Sequence, residues 1–299
     1  MSLEDVLLGT AFGDVFALGW EFSWPPPRAS WLTDATQLKP VEKNGYYCYS
    51  DDTEMTLILA EHLVSHNGLD QDSFATELAK KAQLDNPCRY YGSTTTSVLT
   101  AVRSGAEWRS VSERVNSYGN GAAIRVSPIP VFYGSEKDVL VFAEKQAEVT
   151  HSHRLGIQGA QIIALAIYLS SRGVDPFELP YKIIQAYSWD EVYVKKLEKI
   201  ESLLGESPYR VYLELGNDAR AQYSVPTALY CHIRSQGDVV QSVLCSISVG
   251  GDTDSIASMA SAISAAYGGL EVSKDMLVKI ENYDGIQDLS SRLYSMRHG

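Results

Sequence analysis

Ile157-Gln158-Gly159-Ala160-Gln161-Ile162-Ile163-Ala164-Leu165-Ala166-Ile167 is the stretch on which the fold turns. Ile157, Ala160, Ile163, Ala164 and Ile167 recur at the three- and four-residue spacing of one helix face. The small residues among them permit close packing against neighbouring helices. The same period returns along the chain. Leu57, Ile58, Leu63 and Val64 make a stripe within residues 55–64, and 256–267 reads as another apolar helix. Helices are further expected over 73–83, 137–147, 176–187, 192–203, 219–233, 239–248, 273–280 and 286–296. Period-two alternation is scarce, with 45–49 as a short extended piece. The expected fold class is all-α, a single compact multi-helix domain.

Two stretches lack the helical period. Residues 23–45 include Trp24-Pro25-Pro26-Pro27, whose prolines exclude a continuous helix and read as a stiff surface loop rather than a polyproline ligand. Residues 116–133 are rich in Gly, Pro, Ser and Asn and interrupt two helical blocks. No linker, internal repeat or low-complexity segment divides the chain, so one domain over 1–299 is expected.

With 45% hydrophobic residues, the 299-residue chain can bury a sizeable core. Lys+Arg 25 against Asp+Glu 37 leaves a net charge of -12, which argues against a nucleic-acid binder needing a basic face. Cys48, Cys88, Cys231 and Cys245 are scattered with no C-x-x-C spacing, so neither a zinc ribbon nor a thioredoxin-type motif is indicated. Such thiols fit a reducing cytoplasm. The acidic start Met1-Ser2-Leu3-Glu4-Asp5 is unlike a secretory signal, and the apolar run from Ile162 to Leu169 is far short of the roughly 20 residues that span a bilayer. A cytoplasmic protein with no membrane partner is expected.

Two acidic clusters stand about two hundred residues apart: Ser50-Asp51-Asp52-Thr53-Glu54 and Gly250-Gly251-Asp252-Thr253-Asp254-Ser255. In the first, Ser50 or Asp51 serves as a helix N-cap, with Glu54 completing a box-like arrangement. Capping leaves the second adjacent aspartate unexplained. In the second, the glycines admit positive φ, and Asp252 and Asp254 can direct oxygens into one small volume. Oxygen donors without Cys or His suit hard divalent ions such as Mg2+ or Mn2+. Four carboxylates brought together repel one another unless cations lie between them. The chain therefore reads as a two-metal enzyme.

Three weaker features accompany the clusters. Ser117-Tyr118-Gly119-Asn120-Gly121 leads through Ala122-Ala123-Ile124 to Arg125, a glycine-bearing loop that can hold phosphate oxygens but does not have P-loop or dinucleotide-fold spacing. His151 and His153 diverge on a helix, so capping or a buried hydrogen bond is the simpler role for them. Tyr91-Gly92-Ser93-Thr94-Thr95-Thr96 reads by default as a capped helix start, or else as a hydroxyl-lined ligand contact.

In this order the pieces resemble the ADP-ribosylglycohydrolase family, which includes dinitrogenase-reductase-activating glycohydrolase and the eukaryotic ADP-ribosyl-acceptor hydrolases. Gly13-Asp14 to Glu21-Phe22 looks like its first helix and acidic residue, with Ala17 where a second glycine is familiar. Ser50-Asp51-Asp52-Thr53 is similar to its first metal cluster. Tyr118-Gly119-Asn120-Gly121 with Arg125 is similar to its ligand loop, with Ile124 where Met is common. Thr150-His151 and Gly250-Gly251-Asp252-Thr253-Asp254 match its remaining signatures, with Ser255 where Thr is frequent.

The resemblance implies an all-α domain with two Mg2+ ions, Mn2+ in some members, in a central binuclear cleft. Ser50, Asp51, Asp52, Asp252, Asp254 and Ser255 are then the metal ligands. It also implies Glu21, Asp51, Asp52 and Asp252 in catalysis, with Glu21 a mobile carboxylate gating the site. Ser117, Tyr118, Gly119, Asn120, Gly121 and His151 bind substrate, the glycine backbone and His151 on the diphosphate and Tyr118 on adenine. The expected activity is hydrolysis of the glycosidic bond between ADP-ribose and an acceptor, with ADP-ribosylated protein or small-molecule substrates, ADP-ribose as product and a monomeric state. The rivals are a non-catalytic ADP-ribose binder and a two-metal phosphohydrolase acting on ADP-ribose-like nucleotides.

Overall fold

Helix follows helix along the chain in this computed structural model, which describes residues 3–23 and 28–298. Helix α1 (Val6–Ala17) leads into a segment that holds two 3-10 turns and the paired strands β1 (Glu42–Lys43) and β2 (Tyr46–Tyr47). Then come α2 (Asp51–His66), α3 (Gln71–Lys81), α4 (Ser93–Arg103), α5 (Trp108–Val115), α6 (Gly121–Ile124), α7 (Pro128–Phe132), α8 (Glu136–Glu148) and α9 (Arg154–Ser171). The second half comprises α10 (Leu179–Ala186), α11 (Glu191–Lys199), α12 (Pro208–Leu215), α13 (Ala221–Arg234), α14 (Val239–Val249), α15 (Thr253–Gly268), α16 (Lys274–Leu277) and α17 (Tyr283–His298). The expected all-α fold is what the chain adopts. Trp24-Pro25-Pro26-Pro27 lies outside the described residues.

The Ala- and Ser-rich helix α15 is buried along almost its whole length, packed among α1, α9, α13 and α14. Its closest neighbour is α1, and glycines set that approach. A methyl group on Gly13 would stand 2.2 Å from the Ala257 carbonyl oxygen, and one on Gly9 would stand 2.6 Å from the Ala265 Cβ. Hydroxyls tie the same pair together: Ser258 donates to the Thr10 carbonyl at 3.1 Å and Thr253 to the Ala17 carbonyl at 3.1 Å. Close packing of α1 on α15 brings the chain's two ends together and places the residues following α1 beside the start of α15. The α9 stretch, buried from Gly159 to Ile167, packs against α15 as well.

Several expectations needed correction. The stretch 116–133 is not wholly loop, since it contains α6 and α7, the latter with Pro128 at its first position, where a missing N–H costs nothing. Pro208 likewise starts α12 behind the Ser207 cap, where no helix was expected, and α12 buries Val211 and Leu215. The single helices expected over 176–187 and 192–203 are each an α-helix joined to a 3-10 turn. The extended piece at 45–49 is half of a hairpin: Asn44 and Gly45 turn at φ 56° and 84°, the positive values a two-residue hairpin requires. No helix among the described residues is long and apolar enough to cross a membrane.

Candidate metal centre and ligand cleft

The first acidic cluster is held by a residue from another helix. Ser50 caps α2, its hydroxyl accepting the Asp52 N–H at 3.2 Å. Asp14, fully buried in the last turn of α1, accepts the Ser50 N–H at 3.0 and 3.1 Å, the Thr53 N–H at 3.1 Å and the Thr53 hydroxyl at 2.6 Å. The Asp51 N–H donates to the Arg89 carbonyl at 2.6 Å. The first-turn donors of α2 are therefore satisfied from outside, which leaves the Asp51 and Asp52 carboxylates free to face the cleft. Glu54 does not complete a capping box. Its carboxylate accepts the Gln83 N–H, the Arg89 Nε–H and the Tyr91 hydroxyl instead, all on the segment between α3 and α4.

The second cluster depends on glycine. Gly250 and Gly251 have φ of 76° and 78°, and a Cβ on Gly251 would lie 2.1 Å from the Asn217 carbonyl oxygen. That carbonyl accepts the Asp252 N–H at 2.8 Å, and the Asn217 side chain donates to the Val249 carbonyl at 3.0 Å. Asn120 donates to the Asp252 carboxylate at 2.7 Å. Glu21 stands at the end of the turn after α1, and the Phe22 N–H donates to the Gly251 carbonyl at 2.8 Å, pinning that turn to the glycine loop.

The two clusters do close on each other. Carboxylate oxygens of Asp14, Asp52 and Asp254 lie within 4.8 Å of one another, as do those of Glu21, Asp252 and Asp254, so Asp254 belongs to both groups. Asp52 Oδ2 and Asp254 Oδ1 are buried with no hydrogen-bond partner among the described residues. Loss of water raises Asp51, Asp52 and Asp254 well above the usual carboxylate range, and the surrounding carboxylates raise them further. Glu21 is pushed up to about 7, by burial first and then by Asp252 and Asp14. The Ser255 hydroxyl lies against Asp52 and Asp252 and favours their charged forms. Unpartnered carboxylate oxygens in a repelling, all-oxygen set fit hard divalent cations, so these residues could hold a metal cluster. A third group, His62, His66 and Glu77, bridges α2 and α3 and already has Lys81 3.6 Å from Glu77 as counter-ion.

Around this centre is an open cleft of about 180 Å³. Of the residues singled out in the sequence, Glu21, Asp51, Asp52, Gly119, Asn120, Gly121, His151, Asp252, Asp254 and Ser255 all line it. Ser50 lies beneath, fully buried. Ser117 and Tyr118 are not in the lining. The Ser117 hydroxyl accepts the Gly119 N–H, and Tyr118, half exposed, meets the His153 ring edge-on with centroids 5.5 Å apart. His153 caps α9, accepting the Leu155 N–H at 3.1 Å. Arg125 faces the core, donating to Gln146 and to the Thr150 hydroxyl, which in turn meets His151 Nδ1 at 2.7 Å. Burial, with the nearby Arg125 charge, lowers the His151 pKa to about 3, so its ring is neutral.

Gly92, Thr94 and Thr95 also line the cleft, and Gly92 holds the position before α4 with no side-chain cap, against the default reading of that stretch. Asp14 and Phe22 figured in the sequence only within the Gly13-Asp14 to Glu21-Phe22 signature, with no site role of their own, and Asn217 and Tyr90 were not singled out. Phe22 and Tyr90 are exposed aromatic residues on the cleft lining with φ of 43° and 50°. A lone Asp in an apolar helix was the available signal for Asp14.

Comparison with known proteins follows the same lines. The family model described as ADP-ribosylglycohydrolase matches residues 3–299. ADP-ribosylhydrolase ARH3 of Mus musculus is 32% identical over 309 residues, covering 89% of this chain and 83% of its own. The Bos taurus protein of the same name is 33% identical over 335 residues, with 96% and 91% covered, and that of Homo sapiens is 30% identical over 333 residues, with the same coverage. A solved structure titled ADP-ribosylglycohydrolase-related protein complex shares the fold, with a TM-score of 0.75 over 99% of this chain and 97% of that chain at 21% identity.

Proposed function

This chain belongs to the ADP-ribosylglycohydrolase family, and on that premise we propose that it is a metal-dependent hydrolase cleaving the glycosidic bond between ADP-ribose and an acceptor. The observation that carries the proposal is the meeting of the two acidic clusters around unpartnered carboxylate oxygens, at the floor of a cleft walled by the Gly119–Gly121 backbone and His151. The relatives named ADP-ribosylhydrolase support the same reaction class.

Asp51, Asp52, Asp252 and Asp254 would hold two Mg2+ or Mn2+ ions, with Ser50 and Ser255 completing the donor set. When bound, such ions supply Lewis acidity toward a water and a template for vicinal sugar hydroxyls. Glu21, half-buried on the cleft lining, is placed to take a proton from the attacking water. Asp252 is oriented for its part by the Asn120 amide.

His151 is suited to a phosphate oxygen through its tautomer. The Thr150 hydroxyl accepts from Arg125 and has its own proton to give to His151 Nδ1, which leaves the hydrogen on Nε2. A Cβ built on Gly121 or Gly119 would lie 3.3 Å from that Nε2, so the donor borders the glycine backbone. Tyr118, exposed and next in sequence to the Gly119 wall of the cleft, offers a ring face to adenine. ADP-ribosylated protein or small molecules are the substrates and ADP-ribose the product.

The test is release of free ADP-ribose from matched arginine-linked and serine-linked peptides, with Mg2+ or Mn2+ and with chelator. Chelator-sensitive release from one peptide is the expected result and identifies the acceptor. No release from either, with ADP-ribose still bound, would overturn hydrolysis of these linkages in favour of a binder.

A further inference from the structure

Cys48 and Cys88 are forty residues apart in sequence, yet their sulfurs lie 2.6 Å apart. Both are free thiols, with side chains almost fully buried in the protein, and both border an open surface pocket of about 220 Å³. Lys43, Asn44 and Tyr46 of the β1–β2 hairpin form its rim, with Asn86 and Glu281. Closing a bond of about 2.05 Å from this separation needs only a sub-ångström approach of the two side chains. The pocket gives a small reactant a route to a pair that a protein partner could not reach.

We propose that Cys48 and Cys88 form a redox modification site whose reactant is a small-molecule disulfide. One thiol, deprotonated, attacks a sulfur of the reactant, breaking its S–S bond and expelling one thiolate. The second cysteine then attacks the protein sulfur of the mixed disulfide and expels the other thiolate. The two cysteine protons end on the two departing thiols, so two protein thiols are oxidised to one disulfide while the reactant is reduced by two electrons.

The position of the bond gives it consequence. Cys48 stands two residues before the Ser50 cap of α2, and its N–H donates to the Val41 carbonyl at 2.9 Å. Cys88 precedes Arg89, whose carbonyl receives the Asp51 N–H and whose guanidinium binds Glu54, Glu281 and the Tyr49 carbonyl. Tyr90, Gly92, Thr94 and Thr95 then line the cleft. The bond therefore joins the segment that presents Asp51 and Asp52 to the segment that forms a wall of the same cleft. None of this depends on the proposed hydrolase activity.

The fully reduced protein, exposed to oxidised glutathione, is alkylated under denaturing conditions and digested without reductant. A peptide pair linked through Cys48 and Cys88, lost on adding dithiothreitol, is expected from the unmodified sequence. In Cys88→Ser that pair disappears, while Cys48 stays alkylatable or carries a single glutathione. The proposal is overturned if Cys48 and Cys88 remain as alkylatable as in the untreated protein. It is equally overturned if a glutathione adduct on one never closes onto the other, or if the only disulfide joins Cys231 to Cys245.

Discussion

The Asp14 carboxylate accepts both the backbone N–H and the hydroxyl of Thr53, at 3.1 and 2.6 Å, so the last turn of α1 caps the first turn of α2. Asp14 also stands in the metal-type cluster, with a carboxylate oxygen within 4.8 Å of oxygens of Asp52 and Asp254. Asp14→Asn keeps the size but loses a charge and an acceptor oxygen. Divalent affinity is expected to fall about 10–100-fold, the usual cost of removing a group that orients ligands. Calorimetric titration with Mg2+ measures it, with far-UV circular dichroism as the check on folding. An unchanged affinity would leave Asp14 a structural cap alone.

Asp254 contributes to both carboxylate groups and has a buried oxygen without a partner. Without metal its charge is a liability, because burial first and then Asp52, Asp252 and Glu21 raise its pKa. Asp254→Asn is therefore expected to leave the Tm in chelator unchanged or higher. In the native protein, metal at 100 times its Kd adds about 2.7 kcal/mol, and the variant is expected to lose that increment together with turnover. Melting curves with and without Mg2+ decide the matter, and a variant Tm that still climbs with Mg2+ would remove Asp254 from the ligand set.

Glu21 contributes one separable part of the pH dependence of the metal-free chain, in the same sense as the raised carboxyls of Asp51, Asp52 and Asp254. Its folded pKa is about 7 against an ordinary 4.5, so across that interval the native state binds the proton more tightly than the unfolded one. Stability contributed by Glu21 is thus present at low pH and is lost as pH rises from about 4.5 through about 7. His151 and His232, held neutral with pKa lowered to about 3 by burial, act in the opposite sense below their ordinary 6.5. A difference measurement separates these effects. In chelator, the Tm of Glu21→Gln minus that of the native protein should be smallest near pH 4 and grow to a plateau above pH 7. A difference that stays flat with pH would show that Glu21 titrates normally.

Gly121 leaves little room for a side chain, so any addition there presses on the His151 ring. A Cβ there would meet His151 Cε1 at 3.1 Å and Nε2 at 3.3 Å, at the edge of the cleft. Gly121→Ala is expected to raise KM about tenfold, equivalent to about 1.4 kcal/mol, with kcat little changed. Steady-state kinetics on whichever linked peptide is cleaved supply the split. A fall in kcat with constant KM would point to the metal floor instead of the phosphate wall.

The sequence exposes those parts of the molecule that are written locally. Helical period is local, so α2, α3, α8, α9 and α13–α15 are legible, and the paired aspartates at 51–52 and 252–254 announce oxygen ligands on spacing alone. What it hides is supplied from a distance. Asp14 is one polar residue in an apolar helix until Ser50 and Thr53 arrive to donate to it. Asn217 lies between α12 and α13 and matters through its backbone carbonyl, which any residue possesses. Cys48 and Cys88 have no motif spacing, because their contact is made by the tertiary fold. Two local signals were nevertheless passed over: Asn44-Gly45 as a hairpin turn, and Pro208 after Ser207 as a helix start.

Gly13 ties the fold to the site, and substituting it tests that link. Its φ is not in the left-handed region, so alanine is conformationally allowed there, and the obstacle is space. A methyl would lie 2.2 Å from the Ala257 carbonyl oxygen and 2.7 Å from the Ser258 nitrogen, both backbone atoms of α15 that no side-chain rotation can clear. Gly13→Ala must therefore push α1 away from α15, at an overpacking cost of about 1–3 kcal/mol. The displacement falls on Asp14, the next residue, and on the Ala17 carbonyl that receives the Thr253 hydroxyl, so it moves supports of both acidic clusters at once. A lowered Tm is expected together with weakened Mg2+ binding. Ala11→Gly, in the same buried helix, serves as a control that lowers helix stability without adding bulk. If Gly13→Ala lowered the Tm no more than the control and bound Mg2+ normally, the close α1–α15 contact would not be what aligns the carboxylates.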